Sequence, residues 1–205
     1  MSSEITSNSI HSVMCRIKAG ILAHADELNE RDGALGDGDL GVTLLRSMDL
    51  FSSQPPAGED VGLVLLGYAK LLTGTVGSTY GTLAATGLMA AARQTKGRTA
   101  VPWSEISSLL GAAGAAMAAR GKSQLGDKTV LDAVESARKA IEYIADPDKL
   151  APAAAQAVRD TIAEFRMKPF NQGRARIWGE KGLGMDDPGM VAFRYIVESL
   201  LPQNP

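Results

Sequence analysis

The 205-residue chain has little of several residue types that usually carry structure or chemistry, with one cysteine, two histidines and 5% aromatic residues. The single cysteine, Cys15, excludes an internal disulfide framework and is typical of a reducing compartment, so we expect a cytoplasmic protein. Neither His11 nor His24 has a metal-ligating partner at a useful spacing. Few aromatic residues and no sustained two-residue alternation disfavour a β-sheet.

The chain also lacks an excess of charge of one sign and a long apolar run. Its 21 Lys and Arg residues and 23 Asp and Glu residues give a net charge of −2. Without a basic patch, we expect it to bind neither nucleic acid nor a membrane surface. No uncharged apolar stretch reaches about 18 residues, and the polar N-terminus lacks the pattern of a signal peptide. The length predicts one well-buried domain over residues 1–205.

Helical periodicity dominates the rest of the chain. After Ser9, a predicted cap, apolar residues recur at helical spacing from Ile10 to Leu28, which predicts a first helix of about five turns. Further helices are predicted to begin at Leu40 or Gly41, at Val61 after the cap Asp60, at Leu83, after the cap Ser104, at Val130, at Leu150 and at Pro188 after the cap Asp187. About eight helices joined by loops indicate an all-α fold, an antiparallel up-and-down bundle or barrel.

The stretch from Asp32 to Thr43 is the most unusual part of the sequence, with three aspartates and four glycines in twelve positions. Asp32, Asp37 and Asp39 supply hard oxygen donors, which suit magnesium or calcium. Carboxylates this close repel one another unless solvent or a cation neutralises them. Glycines let the backbone turn and let a ligand approach closely. The alternative is a solvated acidic turn that caps the following helix.

Three familiar motifs overlap these loops and do not fit. The glycine pattern Gly36-x-Gly38-x-x-Gly41 requires a preceding strand, and a helix is predicted there. An EF-hand loop opening at Asp37 would have Val42 at its glycine position and Met48 at its closing glutamate. Gly121-Lys122-Ser123 lacks the first glycine of a P-loop. A magnesium site that holds phosphates fits best, because cations bridge carboxylates and phosphate oxygens.

Three further segments could join this site. Gly77–Thr82 offers amides and hydroxyls that cradle phosphates or simply cap a helix, and Gly126–Thr129 reads as a helix cap. Gly173–Gly184 is long and carries Arg174 and Trp178, so it is either a mobile binding loop or a connection anchored by its tryptophan. The first, third, fifth and seventh predicted helices are followed by four special segments: Asp32–Thr43, Gly77–Thr82, Gly126–Thr129 and Gly173–Gly189, respectively. In an up-and-down arrangement they therefore share one rim.

In this order the segments resemble the nucleotide-binding L subunit, or L domain, of dihydroxyacetone kinases, over nearly the whole chain. The marks are Asp32 with Gly36-Asp37-Gly38-Asp39-x-Gly41, then Val76-Gly77 to Gly81, Gly126-Asp127-Lys128-Thr129, and Gly173-Arg174-Ala175 through Asp187-Pro188-Gly189. The resemblance implies an eight-helix barrel in which Asp32, Asp37 and Asp39 hold two Mg²⁺ ions bridging the phosphates of ADP or ATP. It implies nucleotide contacts at Leu40, Gly41, Val42, Thr43, Thr79, Tyr80, Gly121, Val130, Arg174, Asp187, Pro188 and Gly189.

The resemblance also implies phosphoryl transfer from the nucleotide to dihydroxyacetone or a related small ketose, with Arg174 orienting phosphates beside the three aspartates. In that family a separate K subunit binds the ketose through a histidine, so this chain would be half an enzyme. The alternatives are a phosphocarrier with permanently bound ADP, recharged by a phosphotransferase-system protein, and a regulatory nucleotide-binding subunit. Leu40, the second loop Ser78-Thr79-Tyr80-Gly81 and Val130 depart from the usual family pattern, which leaves the ketose and the phosphoryl donor open.

Overall fold

The computed structural model describes residues 4–75 and 78–202, and of Thr75 only the backbone. These residues form eight α-helices: α1 Ser7–Leu35, α2 Leu40–Ser53, α3 Val61–Thr75, α4 Thr79–Thr95, α5 Ile106–Gly121, α6 Val130–Ile141, α7 Pro147–Phe165 and α8 Pro188–Glu198. Two 3₁₀-helices, Trp103–Glu105 and Arg174–Gly182, and the short antiparallel pair β1 Glu4–Ile5 and β2 Val101–Pro102 complete the fold. Within the described ranges, no helix is both long and apolar enough to cross a membrane.

The helices form a closed ring in chain order. Each packs against the next, and α8 packs against α1. Consecutive helices pack side by side and run up and down, and each helix turns its apolar face inward. The core includes Ile21 and Leu28 of α1, Val64 and Tyr68 of α3, and Val158 of α7, all of which are fully buried. The predicted all-α barrel is confirmed.

Helix α1 extends further than its periodicity predicted, at both ends. Thr6 is its cap, and Ser9, the predicted cap, is the third helical residue and completes a capping box with Thr6. At the other end the helix runs to Leu35 because Leu35 is buried with Phe170 and Ala175. Asp32 therefore lies on the last turn of a rigid helix and not in the loop, where its neighbouring glycines had suggested it.

Other boundaries differ for local reasons. Helix α4 begins at Thr79 and not Leu83, because Ser78 caps it by accepting from the Gly81 amide. Helix α7 begins at Pro147, which fits the first position of a helix because it lacks an amide hydrogen. Ser104, a predicted cap, lies in a 3₁₀ turn, and α5 begins at Ile106 without a side-chain cap. The two strands are too short for their alternation to be read from sequence.

At the rim opposite the aspartates, Asp60 caps α3 as predicted. One carboxylate oxygen accepts from the Leu63 amide at 2.9 Å and the other from the Gly97 amide at 2.8 Å, so the cap also holds the end of α4. Gly62 lets the two helices meet, because an ideal Cβ there would lie 2.5 Å from the Lys96 nitrogen and 2.6 Å from the Ala92 oxygen. Both atoms are backbone and cannot rotate away.

This contact yields a prediction about stability. Gly62→Ala should lower the free energy of unfolding by about 1–3 kcal/mol, because the α3–α4 contact must open. Gly74→Ala in the same helix is the matched control, since a Cβ there meets no atom within 4 Å. Alanine in open helical space should stabilise by about 0.5–1 kcal/mol. Urea denaturation measures both, and equal effects of the two substitutions would contradict the packing described.

Candidate functional site

One cavity of about 660 Å³ opens at the rim where the predicted segments meet. Helix ends surround it: the C-terminal ends of α1 and α5 and the N-terminal ends of α2, α4, α6 and α8, with Arg174 of the 3₁₀-helix beside them. Described parts of all four segments line or border this cavity, which confirms that they share one rim. Gly77, the first residue of the second segment, and Val76 before it lie outside the described residues.

Three carboxylates gather at one end of the cavity. Asp32, Asp37 and Asp39 each offer an oxygen, and these oxygens lie within 4.8 Å of one another. Asp32 organises the group, because its Oδ2 accepts from the Gly38 amide at 2.9 Å and the Asp39 amide at 3.0 Å. Gly38 has φ +75°, a left-handed conformation that glycine adopts readily. The loop is therefore folded around the carboxylate of Asp32.

The electrostatics of this cluster favour a cation. Burial raises the pKa of Asp32, and the negative charges of Asp37 and Asp39 add to the rise, so a positive charge nearby would relieve all three. Carboxylate oxygens gathered in this way are ligands that a hard divalent ion such as Mg²⁺ prefers. Asp39 occupies the cap position of α2 but makes no side-chain capping bond. The alternative of a simple capping turn therefore does not account for Asp39.

Arg174 lies against this cluster. Its Nη1 contacts Oδ2 of Asp37, and that contact lowers the pKa of Asp37 and raises the pKa of Arg174. The Arg174 side chain is 61% exposed and the Asp37 side chain is 50% exposed, so this ion pair adds little stability and can separate at small cost. Arg46 and Arg176 also line the cavity. Guanidinium groups here suit the oxygens of a phosphate.

The helix termini add a second anion-binding element. Four helices begin at this cavity, and unpaired amide groups at a helix N-terminus attract negative charge. Thr129 and Asp132 form a capping box that starts α6, as expected for Gly126–Thr129. Asp187 caps α8 by accepting from the Met190 amide at 2.8 Å, and Pro188 is the first helical residue, as predicted. Burial raises the pKa of Asp187 to about 7, although that amide bond and the charge of Lys128 oppose the rise.

The other end of the cavity is apolar. Tyr80 and Val130 line it, together with Leu83, Met117 and Leu131. Gly189 borders this end, and a Cβ there would lie 3.1 Å from Oδ1 of Asp187 and in ordinary contact, at 3.6 Å, with the Tyr80 ring. An apolar slot next to polar groups is typical of a ligand-binding site. The structure thus places a charged end and an apolar end in one cavity.

Most of the residues predicted for the site line this cavity, and two do not. Those that do are Asp32, Asp37, Asp39, Leu40, Thr43, Thr79, Tyr80, Gly121, Val130, Arg174, Asp187, Pro188 and Gly189. Gly41 instead lies where α2 approaches α1, since a Cβ there would be 2.1 Å from the Ala25 oxygen. The Val42 side chain is half exposed, and its amide bonds to Asn29.

Sequence reasoning missed Arg46, Leu83 and Met117. Each lies on a helix, in a stretch whose composition is ordinary. The available signal was helical spacing, because Leu83 and Arg46 each follow a predicted site residue by about one turn. Met117 faces the cavity only because α5 ends there, which required the fold.

Comparison with known proteins agrees with this geometry. The family profile described as the DAK2 domain matches residues 34–202. The ADP-binding subunit DhaL of the PEP-dependent dihydroxyacetone kinase of Escherichia coli (strain K12) is 28% identical over 184 residues, covering 86% of this chain and 87% of that protein. The corresponding subunit of the PTS-dependent kinase of Lactococcus lactis is 29% identical, covering 85% of each.

Longer proteins contain a similar part. The triokinase/FMN cyclase of Rattus norvegicus is 30% identical over 208 residues, covering 96% of this chain but 36% of that protein. The crystal structure of the dihydroxyacetone kinase of C. freundii in complex with AMP-PNP and Mg²⁺ superposes with a TM-score of 0.74 at 21% identity. It covers 94% of this chain and 33% of the other. The chain thus spans about a third of these longer proteins, and the superposition shows the fold.

The carboxylate cluster yields a prediction about cation binding. Asp39→Ala should weaken binding of Mn²⁺, a spectroscopic substitute for Mg²⁺, by at least about tenfold, because it removes one oxygen ligand. Circular dichroism should stay unchanged, since the Asp39 side chain caps nothing. Asp49→Ala is the matched control, as Asp49 lies on the same helix but pairs with Lys18. Unchanged Mn²⁺ affinity by electron paramagnetic resonance would contradict a metal site, and unfolding would favour a structural turn.

Proposed function

The chain belongs to the DAK2 domain family, and on that premise we propose that it is the nucleotide-binding, phosphoryl-transferring subunit of a kinase for dihydroxyacetone or a related small ketose. The observation that carries the proposal is that one cavity combines an aspartate cluster, four helix N-termini and an apolar slot. The similarity to ADP-binding subunits over most of their length supports it. We further infer that residues 1–205 form one domain, and its lone cysteine suits the cytoplasm.

Different parts of the cavity would contact the base and the phosphates of a nucleotide. Tyr80, Leu83, Met117 and Val130 would contact the base of ADP or ATP, because a planar ring fits between apolar side chains. The amides at the starts of α2, α4 and α8 would hold the phosphates. Asp32, Asp37 and Asp39 would hold two Mg²⁺ ions, which when bound supply charge neutralisation at the phosphate oxygens.

Arg174 completes the charged end. In the structure its guanidinium contacts Asp37, so it already lies at the edge of the cluster where a terminal phosphate would sit. Arginine can bind two phosphate oxygens at once, which orients a phosphate as well as stabilising its charge. Because the pair with Asp37 is weak and exposed, Arg174 can exchange that partner for phosphate at little cost.

The described lining of the cavity has no side chain suited to binding a ketose covalently. Among its described lining residues, none is histidine, cysteine or lysine. His11 is instead hydrogen-bonded to the hydroxyl of Tyr68 at 2.6 Å, and the ring of His24 stacks on Tyr195 at 3.8 Å. Neither lines the cavity. A separate ketose-binding K subunit, docked over the open rim, would therefore supply the acceptor.

The phosphoryl donor distinguishes the proposal from its alternatives. A kinase subunit exchanges ADP for ATP, whereas a phosphocarrier keeps ADP and receives phosphate from a phosphotransferase-system protein. Related subunits are named for PEP- and PTS-dependent kinases. The side chain of Leu40, which lines the cavity, is aliphatic and can neither accept a phosphoryl group nor form a hydrogen bond with an incoming phosphocarrier, so we favour exchange. A regulatory subunit would bind nucleotide without turnover.

The segment Arg174–Gly182 should respond to nucleotide. Ile177 is 81% exposed and Trp178 is 40% exposed, so the middle of the segment has few buried contacts. We expect its amides to exchange rapidly without ligand and more slowly with Mg-ADP, while those of α7 stay unchanged as an internal control. Hydrogen exchange with mass spectrometry makes the comparison. Equal protection of Arg174–Gly182 in both states would make it an ordinary connection.

The need for a partner gives a second prediction. The isolated chain with Mg-ATP should phosphorylate dihydroxyacetone negligibly, and activity should appear on addition of a K subunit, because in-line transfer needs a held hydroxyl away from water. Product formation is measured for each mixture, with Asp39→Ala plus the K subunit as the inactive control. A parallel mixture with phosphoenolpyruvate and the phosphotransferase proteins tests the other donor. Full turnover by the isolated chain would refute the partner requirement.

A further inference from the structure

Lys128 is an unusual residue that the proposed function leaves without a task. Its side chain is 1% exposed, which is rare for lysine. Its φ of +61° lies in the left-handed region, where glycine or asparagine would fit more easily. A lysine kept both buried and in this conformation indicates that its side chain is needed where it points.

The ammonium group of Lys128 points at the end of α7. Nζ donates to the Arg166 oxygen at 3.0 Å and the Lys168 oxygen at 2.8 Å, and it lies 4.0 Å from the centre of the Phe170 ring. Two carbonyls and an aromatic face thus satisfy the three donors of a buried ammonium. Carbonyls just beyond a helix C-terminus lack helical partners, and a cation there is favourable.

The Arg166 carbonyl also accepts a hydrogen bond from the far end of the segment that carries Arg174. The Gly184 amide donates to the Arg166 oxygen at 2.9 Å, so Lys128 and Gly184 share one acceptor. The Arg166 guanidinium in turn donates two hydrogen bonds, of 2.8 and 3.0 Å, to the carboxylate of Asp186. Both ends of the segment from residue 166 to residue 186, called here the lid, therefore meet at Lys128.

The lid enters the cavity from this point. The Asn171 amide donates to the Asp127 oxygen at 3.1 Å, which ties the lid to the backbone next to Lys128. Gly182 packs against the Phe170 ring so closely that a Cβ there would be 2.8 Å from it. Arg174 follows Asn171 by three residues and reaches Asp37. Its place over the aspartates thus depends on where the lid begins and ends.

We propose that Lys128 is a positioning residue of the nucleotide site: by joining the two ends of the lid it places Arg174 over the aspartate cluster. This inference rests on the proposed function, since Arg174 is taken to hold phosphate. A purely structural role, in which Lys128 only caps α7, is the competing explanation. The two explanations differ in whether the loss of nucleotide affinity caused by removing the Lys128 ammonium depends on Arg174.

A double-mutant cycle separates them. Lys128→Met keeps the aliphatic stem and removes the ammonium, and should weaken Mg-ADP binding about tenfold by accelerating dissociation. In an Arg174→Ala background the same substitution should cause little further loss, because the residue it positions is gone. Lys168→Met is the matched control, since that side chain reaches only Glu164 and the Phe165 ring, and its affinity should stay unchanged.

Each outcome decides the proposal. Unchanged affinity in Lys128→Met, or the same loss with and without Arg174, would overturn it. If Lys128→Met does not fold, hydrogen exchange of the unmodified chain without nucleotide decides: the amides of Asn171 and Gly184 should be protected while residues 176–181 are not. Equal exchange at all these amides would overturn the proposal. Failure of the unmodified chain to bind Mg-ADP would refute the proposed function instead, and the exchange result would still report on the ends of the lid.

Discussion

The carboxylate of Asp32 is the interaction on which the site depends. It projects from the last turn of α1, a helix that packs against a neighbour on each side in the ring. Its Oδ2 accepts hydrogen bonds from the amides of Gly38 and Asp39. Those two bonds fold the loop that carries Asp37 and Asp39 and set where α2 begins. A rigid helix thereby positions a glycine-rich loop, and two backbone donors to Asp32 bring the residues that carry the other two carboxylates close to it.

The closed ring of helices turns this local arrangement into a cavity. Because the chain runs up and down, every second connection returns to the same rim, and four helix N-termini converge beside the aspartates. Carboxylates attract cations and helix N-termini attract anions, so the rim suits a ligand that brings both. A magnesium nucleotide has this character, and the apolar slot at Tyr80 and Met117 would accommodate its base.

Much of this could be predicted from sequence. Local signals were sufficient for Asp60 and Asp187 as caps, for a start of α2 at Leu40 or Gly41 and for an all-α fold, because capping and helical spacing act over a few residues, whereas the closed barrel was implied by the family resemblance. The parity of the special loops was sufficient to put them on one rim. These are properties that short-range chemistry and chain connectivity determine.

What sequence could not provide depends on contacts between distant residues. Leu35 extends α1 through Asp32 because Phe170 buries it, and Met117 reaches the cavity because α5 ends there. The sequence suggested only that Lys128 belongs to a capping turn, and the fold is needed to show that its ammonium lies where the two ends of the lid meet. In each case packing across the ring overrides or adds to the local pattern.

The measurement that tests the central claim most directly is calorimetric titration of the chain with ADP, in Mg²⁺ and again in excess EDTA. The proposed magnesium-nucleotide site predicts one nucleotide per chain, with an affinity that falls at least about tenfold when the cation is removed, because unneutralised aspartates repel phosphate. Equal affinity in both solutions, or no binding in Mg²⁺, would contradict it.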